Sequence, residues 1–411
     1  MLKAIRTAYS LQKRNVLIIG RQEKKTSIML KAIRTAYSLQ KRNVLIIGRQ
    51  EKKTSIMLKA IPTLTVTSAL LSSFFLLPSH SFAQQLQNQP QVMQIENQLS
   101  EDTLVAEVTK PSVVRVLVGC AAQVNFNGKT YTAEIDGHGS GFFVNPNGYI
   151  VTNAHVVDLI EKPEECKEYL AMDALEKILE DVPNHEEFYK KYRSREDFIK
   201  ALKFDKIEPK KEVILTNGDK LPFEVVVSGN QDDSGRDVAI IKVNIKNAPS
   251  LLLADSEQVQ IKQDITAVGY PGVGDIPEEK GIGYNQPSFT DGKVSAQKYI
   301  NGALVLQVSA PITHGNSGGP VINNKGEVVG ISTFAFGNQS GFGFLVASNT
   351  IKDFLKQTGI RNEEGVVTQR YRQALKLYNN GQCKQATQEF TAIHNLFPQH
   401  PSLDKYMQKC G

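Results

Sequence analysis

The sequence predicts a mainly β fold of the barrel kind, interrupted by a helical insertion and followed by a helical pair. Three observations predict it. From residue 111 onward, short apolar and β-branched runs recur at turn-punctuated intervals, the signature of an antiparallel barrel. Between 158 and 211 that pattern gives way to charged stretches with apolar residues three and four apart, the period of an amphipathic helix. After 361 the helical period returns and holds to the end.

The elements follow in order. A short helical stretch from Asp102 leads to a first strand over 111–118, then strands over 129–135, 140–144 and 149–153, the last carrying on as Val151-Thr-Asn-Ala-His-Val-Val157. Helices are expected over 166–182 and 186–204. The barrel resumes with strands over 212–220 and 222–228 and with Arg236-Asp-Val-Ala-Ile-Ile-Lys-Val243, where a lone acid opens a run otherwise fit for burial. Further strands are expected over 264–270, 292–296 and 303–309, a hairpin over 321–331 and a last strand over 341–346. A loop from 275 to 291, rich in Gly, Pro and charge, separates two of them. A helix capped by Ser348 or Asn349 ends before Gly359.

The beginning of the chain reads differently. Residues 1–28 recur unchanged as 29–56, and a third copy starts at Met57 before departing. Folding does not demand letter-perfect identity, so the repeat points to a duplication in the coding DNA, with Met57 as the working start. From there a lone Lys59, an apolar stretch from Leu64 to Leu77 and Ser81-Phe-Ala83 have the charge, hydrophobic and small-residue order of a secretory signal peptide over 57–83. That stretch is too short to span a bilayer comfortably, so no stable membrane span is expected after cleavage. Residues 84–101, rich in Gln and Asn, read as a flexible linker. The main segment is then 102–360, and the tail 361–411.

The overall charge of +6 comes from the leader. The two copies and Lys59 hold 15 of the 48 Lys and Arg and 2 of the 42 Asp and Glu, which leaves 33 basic against 40 acidic residues, net −7, from Gln84 on. A nucleic-acid partner is therefore not expected. Cys120, Cys166, Cys383 and Cys410 suit an exported, periplasmic or extracellular protein with two disulfides. Three pairings are open, and neighbourhood favours Cys120 with Cys166 and Cys383 with Cys410. Without CxxC spacing or a histidine cluster, neither a zinc site nor any other metal or cofactor is expected.

The chemistry centres on Pro311-Ile-Thr-His-Gly-Asn-Ser-Gly-Gly-Pro320. A serine hydroxyl is a poor nucleophile until a base takes its proton and backbone donors meet the oxyanion it creates. Gly315 lets the chain turn so that its N–H and that of Ser317 can converge, and His155 and Asp237 supply the base and the carboxylate. The order His155, Asp237, Ser317 is that of the chymotrypsin arrangement, not of subtilisins or α/β-hydrolases. Over roughly 105–359 the chain resembles the trypsin-like peptidases, and among them the bacterial HtrA/Deg type.

The resemblance implies two six-stranded antiparallel β-barrels, a serine endopeptidase acting on proteins or peptides, and an oxyanion hole from Gly315 and Ser317. It also implies a specificity pocket with Pro311 at its floor, Ile312 beside it, and Thr333, Phe342, Gly343 and Phe344 as walls. No carboxylate stands at Pro311, so the expected taste is for small to medium aliphatic side chains and not for Lys or Arg. Asn316 stands where digestive relatives carry the aspartate that pairs with a freed N-terminus, so that route of activation is not expected. In place of a PDZ domain, Ala374, Leu377, Gly381, Ala386, Phe390, Ile393 and Pro398 fall at positions similar to those of a tetratricopeptide hairpin. Such a single hairpin must dock on the barrel, the insertion or a protein partner to bury its apolar face. A second reading of the same residues is an inactive or latent protease-fold binding protein or chaperone, against which the intact triad argues.

Overall fold

The structure is a computed structural model, and it describes residues 98–229, 235–272, 285–334 and 342–411. The duplicated leader, the signal segment, most of the linker and residues 275–284 of the 275–291 loop lie outside the described residues.

Both expected barrels are present. After a helix α1 (Glu101–Thr109), the first is built from β1 (Val113–Phe126), β2 (Lys129–Phe143), β3 (Tyr149–Thr152), β5 (Glu208–Ile214), β6 (Lys220–Ser228) and β7 (Ala239–Val243). It closes because β1 pairs antiparallel with both β2 and β5. A short β4 (Lys203–Phe204) adds to the outer end of β1. The second barrel runs β8 (Asp264–Gly269), β9 (Ser288–Ile300), β10 (Ala303–Val308), β13 (Gly343–Ala347), β12 (Val328–Phe334), β11 (Pro320–Ile322) and back to β8. The stretches 129–135 and 140–144 prove to be one strand, because β1 is long enough to pair with both across an uninterrupted register.

Strand alternation separates two kinds of core. Successive side chains on a strand point to opposite faces. Accordingly Phe143, Ile150 and Ile241 face the interior of the first barrel, while their neighbours Phe142, Val151 and Ile240 face an apolar layer shared with Val268, Ile331 and Val346 of the second. The second barrel has its own interior around Val294, Leu306, Val308 and Leu345. The inter-barrel layer is what fixes residues of one barrel against those of the other.

His155 does not lie on a strand. β3 ends at Thr152, and α2 (Ala154–Glu161) starts at once, with His155 in its first turn. The helical insertion therefore begins within α2. Its next helix, α3 (Pro163–Asp181), buries Cys166, Leu170, Ala174 and Ile178, one side chain per turn, against β1 and β2. Cys120 and Cys166 form a disulfide, Glu134 N–H donates to Asp173 Oδ2 at 3.1 Å, and Lys177 Nζ donates to the Thr132 carbonyl at 2.6 Å. A helix held at so many points is a fixed buttress of the β1–β2 hairpin. The single helix expected over 186–204 is two, α4 (His185–Lys191) and α5 (Arg195–Ala201). Ser194 Oγ and Asp197 Oδ2 accept each other's backbone N–H, a capping box that starts a new helix.

α6 (Ser348–Thr358) ends at Gly359 in the left-handed conformation, φ 70°. Neither Ser348 nor Asn349 caps it. Ser348 Oγ donates to the Ala254 carbonyl and Asn349 Nδ2 to Asp255, so both side chains tie α6 to the connection before β8. The chain then crosses to the first barrel, where Asn362 bonds Val144, Leu251 and Leu253, and Ser250 bonds Glu363, Gly365 and Thr368. The tail is α7 (Val366–Asn379), α8 (Cys383–Leu396) and α9 (Leu403–Cys410), with Cys383 bonded to Cys410. Tyr371, Ala374, Leu375, Ala386, Phe390, Ile393 and Tyr406 belong to one apolar cluster with the first-barrel core. The hairpin's apolar face is thus spent on the barrel. No helix among the described residues is long and apolar enough to cross a membrane.

Beneath this tail His400 is 7% exposed, its ring 4.2 Å from that of Tyr371, and Nδ1 accepts the Ser402 N–H at 3.4 Å. Burial, helped by the charge of Lys110, pushes its pKa down to about 3. A histidine that folds neutral stabilises fully above its unfolded pKa of about 6.5, and that contribution is lost as pH falls from there toward 3. Each pH unit of that window costs up to about 1.4 kcal/mol. Urea unfolding of the wild type should therefore weaken between pH 6.5 and 4.5 more steeply than that of His400→Phe; parallel curves would show that His400 contributes nothing to acid sensitivity.

Candidate active site

The three candidate residues come from three junctions. His155 sits at the β3–α2 turn, Asp237 in the turn before β7, and Ser317 in the loop between β10 and β11. The first two belong to one barrel and the third to the other, brought together across the apolar layer.

Asp237 is held by donors on every side. His155 Nδ1 lies 2.7 Å from Oδ2, the His155 backbone N–H donates to Oδ1 at 3.0 Å, and Thr333 Oγ1 donates to Oδ2 at 2.6 Å. Asn153 Nδ2 donates to the Asp237 backbone carbonyl at 2.6 Å. Asn153 is the residue preceding α2, yet its side chain does not cap the helix. The Asp237 carboxylate does so from outside, taking an N–H of the first turn where helix ends are short of acceptors. That explains why the chain turns helical at His155. Burial alone pushes the carboxyl of Asp237 up, but the bonds and charge from His155, with those from Thr333, outweigh it and hold the group below the usual carboxylate range. It is a carboxylate, and with the side chain of Asp237 6% exposed against 29% for His155, only the imidazole of the pair reaches the cleft.

The loop carrying Ser317 is fixed peptide by peptide. The carbonyls of Thr313, His314, Gly315, Asn316 and Ser317 accept in turn from Asn316 N–H, Gly272 N–H, Ser140 Oγ, Gly319 N–H and Ser140 N–H, at 2.7 to 3.1 Å. Gly318 N–H donates to the Ser332 carbonyl. From Gly315 to Gly319 this leaves two N–H groups without partners among the described residues, those of Gly315 and Ser317. Every peptide among the described residues is trans, so an N–H points away from the carbonyl of its own unit. Gly315 has φ 96° and Gly318 φ 83°, values an L side chain rarely adopts. A Cβ at Gly315 would meet the Tyr270 carbonyl, and one at Gly318 would meet Thr152 Oγ1 and the Ser140 carbonyl. The Ser317 hydroxyl donates to the Thr333 carbonyl at 3.2 Å and makes no hydrogen bond to His155.

The expected pocket residues are only partly together. Ile312 packs on Gly343, where a Cβ would collide with its Cδ1 and approach its Cγ1 to 2.7 Å. Phe344 is buried, whereas Pro311 is exposed and Phe342 is 56% exposed, so neither is enclosed by the described residues. Thr333 has a further part in the site, since its hydroxyl donates to Asp237 and its carbonyl accepts from Ser317. Sequence reasoning passed over Ser140, Asn153, Gly272 and this role of Thr333. The one available signal was Gly139-Ser-Gly141, a serine between glycines ahead of Phe142 and Val144, which share its parity and lie in the inter-barrel layer.

Residues 139–331 match the family model described as trypsin-like peptidase domain. A DegP-like periplasmic serine endoprotease of Halomonas elongata is 30% identical over 238 residues, which is 56% of this chain and 36% of the relative. The periplasmic serine endoprotease DegP of Salmonella typhimurium is 33% identical over 159 residues, 36% of this chain and 30% of the relative. The mitochondrial serine protease HTRA2 of Drosophila willistoni is 25% identical over 240 residues, 58% and 42%. The chain spans about a third of the length of the first two. Residues 139–331 thus match a trypsin-like peptidase domain within a fold of two six-stranded barrels, and the chain is similar to the HtrA/DegP serine endoproteases.

Proposed function

We propose that this chain is an exported serine endopeptidase that cleaves proteins or peptides, with Ser317 as nucleophile, His155 as base and Asp237 as the group that orients it. The observation that carries the reading is the junction of a buried, ionised Asp237 on His155 Nδ1 with a loop whose Gly315 and Ser317 N–H groups are kept free. With Nδ1 protonated toward Asp237, Nε2 accepts the Ser317 proton as Oγ bonds to the scissile carbonyl carbon. The oxyanion so formed takes the two N–H donors. On collapse the C–N bond breaks, the amine leaves with the proton from His155, and the acyl group stays on Ser317. Water then attacks, gives its proton to His155, and the acid product is released as Ser317 Oγ recovers that proton.

Ile312 packed on Gly343, with no carboxylate at Pro311, supports a preference for small to medium aliphatic side chains before the cut. Two disulfides and periplasmic relatives support a periplasmic or extracellular setting.

One observation favours a second reading, a latent protease fold that binds unfolded chains: the Ser317 proton rests on Thr333, and must swing to His155 before attack. Fluorophosphonate treatment of the purified full chain, followed by mass mapping, separates them. An adduct on the peptide holding Ser317, lost when the protein is boiled first, supports the peptidase. Folded protein that stays unlabelled overturns it and leaves the binding reading.

A further inference from the structure

Ser140 is fully buried on β2, on the same strand face as Phe142 and Val144, which belong to the inter-barrel layer. Strand alternation there calls for another apolar side chain, and a polar residue in such a place is held at a cost unless it serves something specific. Every polar group it has is used. Its hydroxyl donates to the Gly315 carbonyl at 2.7 Å and accepts the Tyr270 N–H at 2.9 Å. Its own N–H donates to the Ser317 carbonyl at 2.8 Å, and its carbonyl accepts Thr152 Oγ1 at 2.8 Å. One residue of the first barrel thus bonds the nucleophile loop of the second twice, and bonds the ends of β8 and β3 as well.

The two bonds to the loop bracket one peptide. The Gly315 carbonyl belongs to the unit before Asn316, and the Ser317 carbonyl to the unit after Ser317. The far N–H ends of these units are also tied, Asn316 N–H to Thr313 and Gly318 N–H to Ser332. Between two peptide planes fixed at both ends, the unit carrying the Ser317 N–H has no freedom to flip. We propose that Ser140 is a positioning residue for catalysis: it aims the Ser317 N–H at the developing oxyanion, and its loss weakens transition-state binding more than substrate binding. This rests on the peptidase reading above.

The test compares Ser140→Ala with the wild-type full chain on one aliphatic chromogenic peptide and on a peptide boronate of the same sequence, which mimics the tetrahedral state. Removing one oxyanion donor costs roughly 10²–10³ in kcat, and misdirecting one should approach the lower end. Expected are a fall in kcat of about 10²-fold, a KM within about threefold, and a boronate Ki raised in step with the loss of kcat. Ser140→Cys, which keeps the unbranched form of the side chain but is slightly larger and donates weakly, should fall between, and it carries the test if Ser140→Ala does not fold. A folded variant with unchanged kcat and boronate affinity, or with only KM altered, overturns the inference. A wild type that neither turns over the peptide nor binds the boronate brings down the peptidase reading itself and this inference with it.

Discussion

Ser317→Ala should lower kcat by about 10⁶-fold while leaving the fold and the binding of an uncleaved peptide close to wild type. Among the described residues the side chain makes a single hydrogen bond, to the Thr333 carbonyl, and none of the bonds that hold the loop involves Oγ. The loop is pinned through Ser140, Gly272 and its own peptides, none of which involves that hydroxyl. What disappears is the atom that forms the covalent bond. Steady-state turnover of a chromogenic peptide, with peptide binding measured separately, checks both halves; a variant retaining even a hundredth of wild-type kcat would mean that Ser317 is not the nucleophile.

Asp237→Asn should cost about 10⁴-fold in kcat, for a reason specific to the donors around it. Asp237 receives three hydrogen bonds, from the His155 N–H, the His155 ring and the Thr333 hydroxyl. An amide has one oxygen to give. If that oxygen stays on the backbone N–H that starts α2, the NH₂ faces the ring, donates to Nδ1 and forces the ring proton onto Nε2, the nitrogen that must accept from Ser317. Since the helix start is preserved, circular dichroism should change little while kcat collapses and KM holds. An Asp237→Asn enzyme within tenfold of wild type would remove Asp237 from the mechanism.

How much of this was readable in the sequence depends on how far away the cause lies. The strands of both barrels were visible because alternation is local: Phe142 and Phe143, or Ile240 and Ile241, sort themselves to two faces by parity alone. α3 was visible for the same reason, through the four-residue spacing of Cys166, Leu170, Ala174 and Ile178. His155 was misplaced onto a strand because what makes it helical is a carboxylate 82 residues further along the chain. The break between α4 and α5 was local and could have been found, since Ser194 and Asp197 stand at capping-box spacing. Ser140 and Thr333 were hidden differently. Each is a small polar residue whose meaning lies in a partner on another strand, 175 and 96 residues away.

The apolar cluster that α7, α8 and α9 share with the first barrel runs across the boundary expected at 360. Val367, Tyr371, Phe390 and Tyr406 are buried in the same continuous packing as Val114, Phe143 and Ile241. In close-packed interiors such neighbours do not loosen independently. The helical tail thus shares one packing with residues of β3 and β7, and β3 ends just before the helix that holds His155 while β7 starts just after Asp237. A change on the outermost helix is felt, through that packing, as a change in the free energy that keeps the catalytic junctions closed.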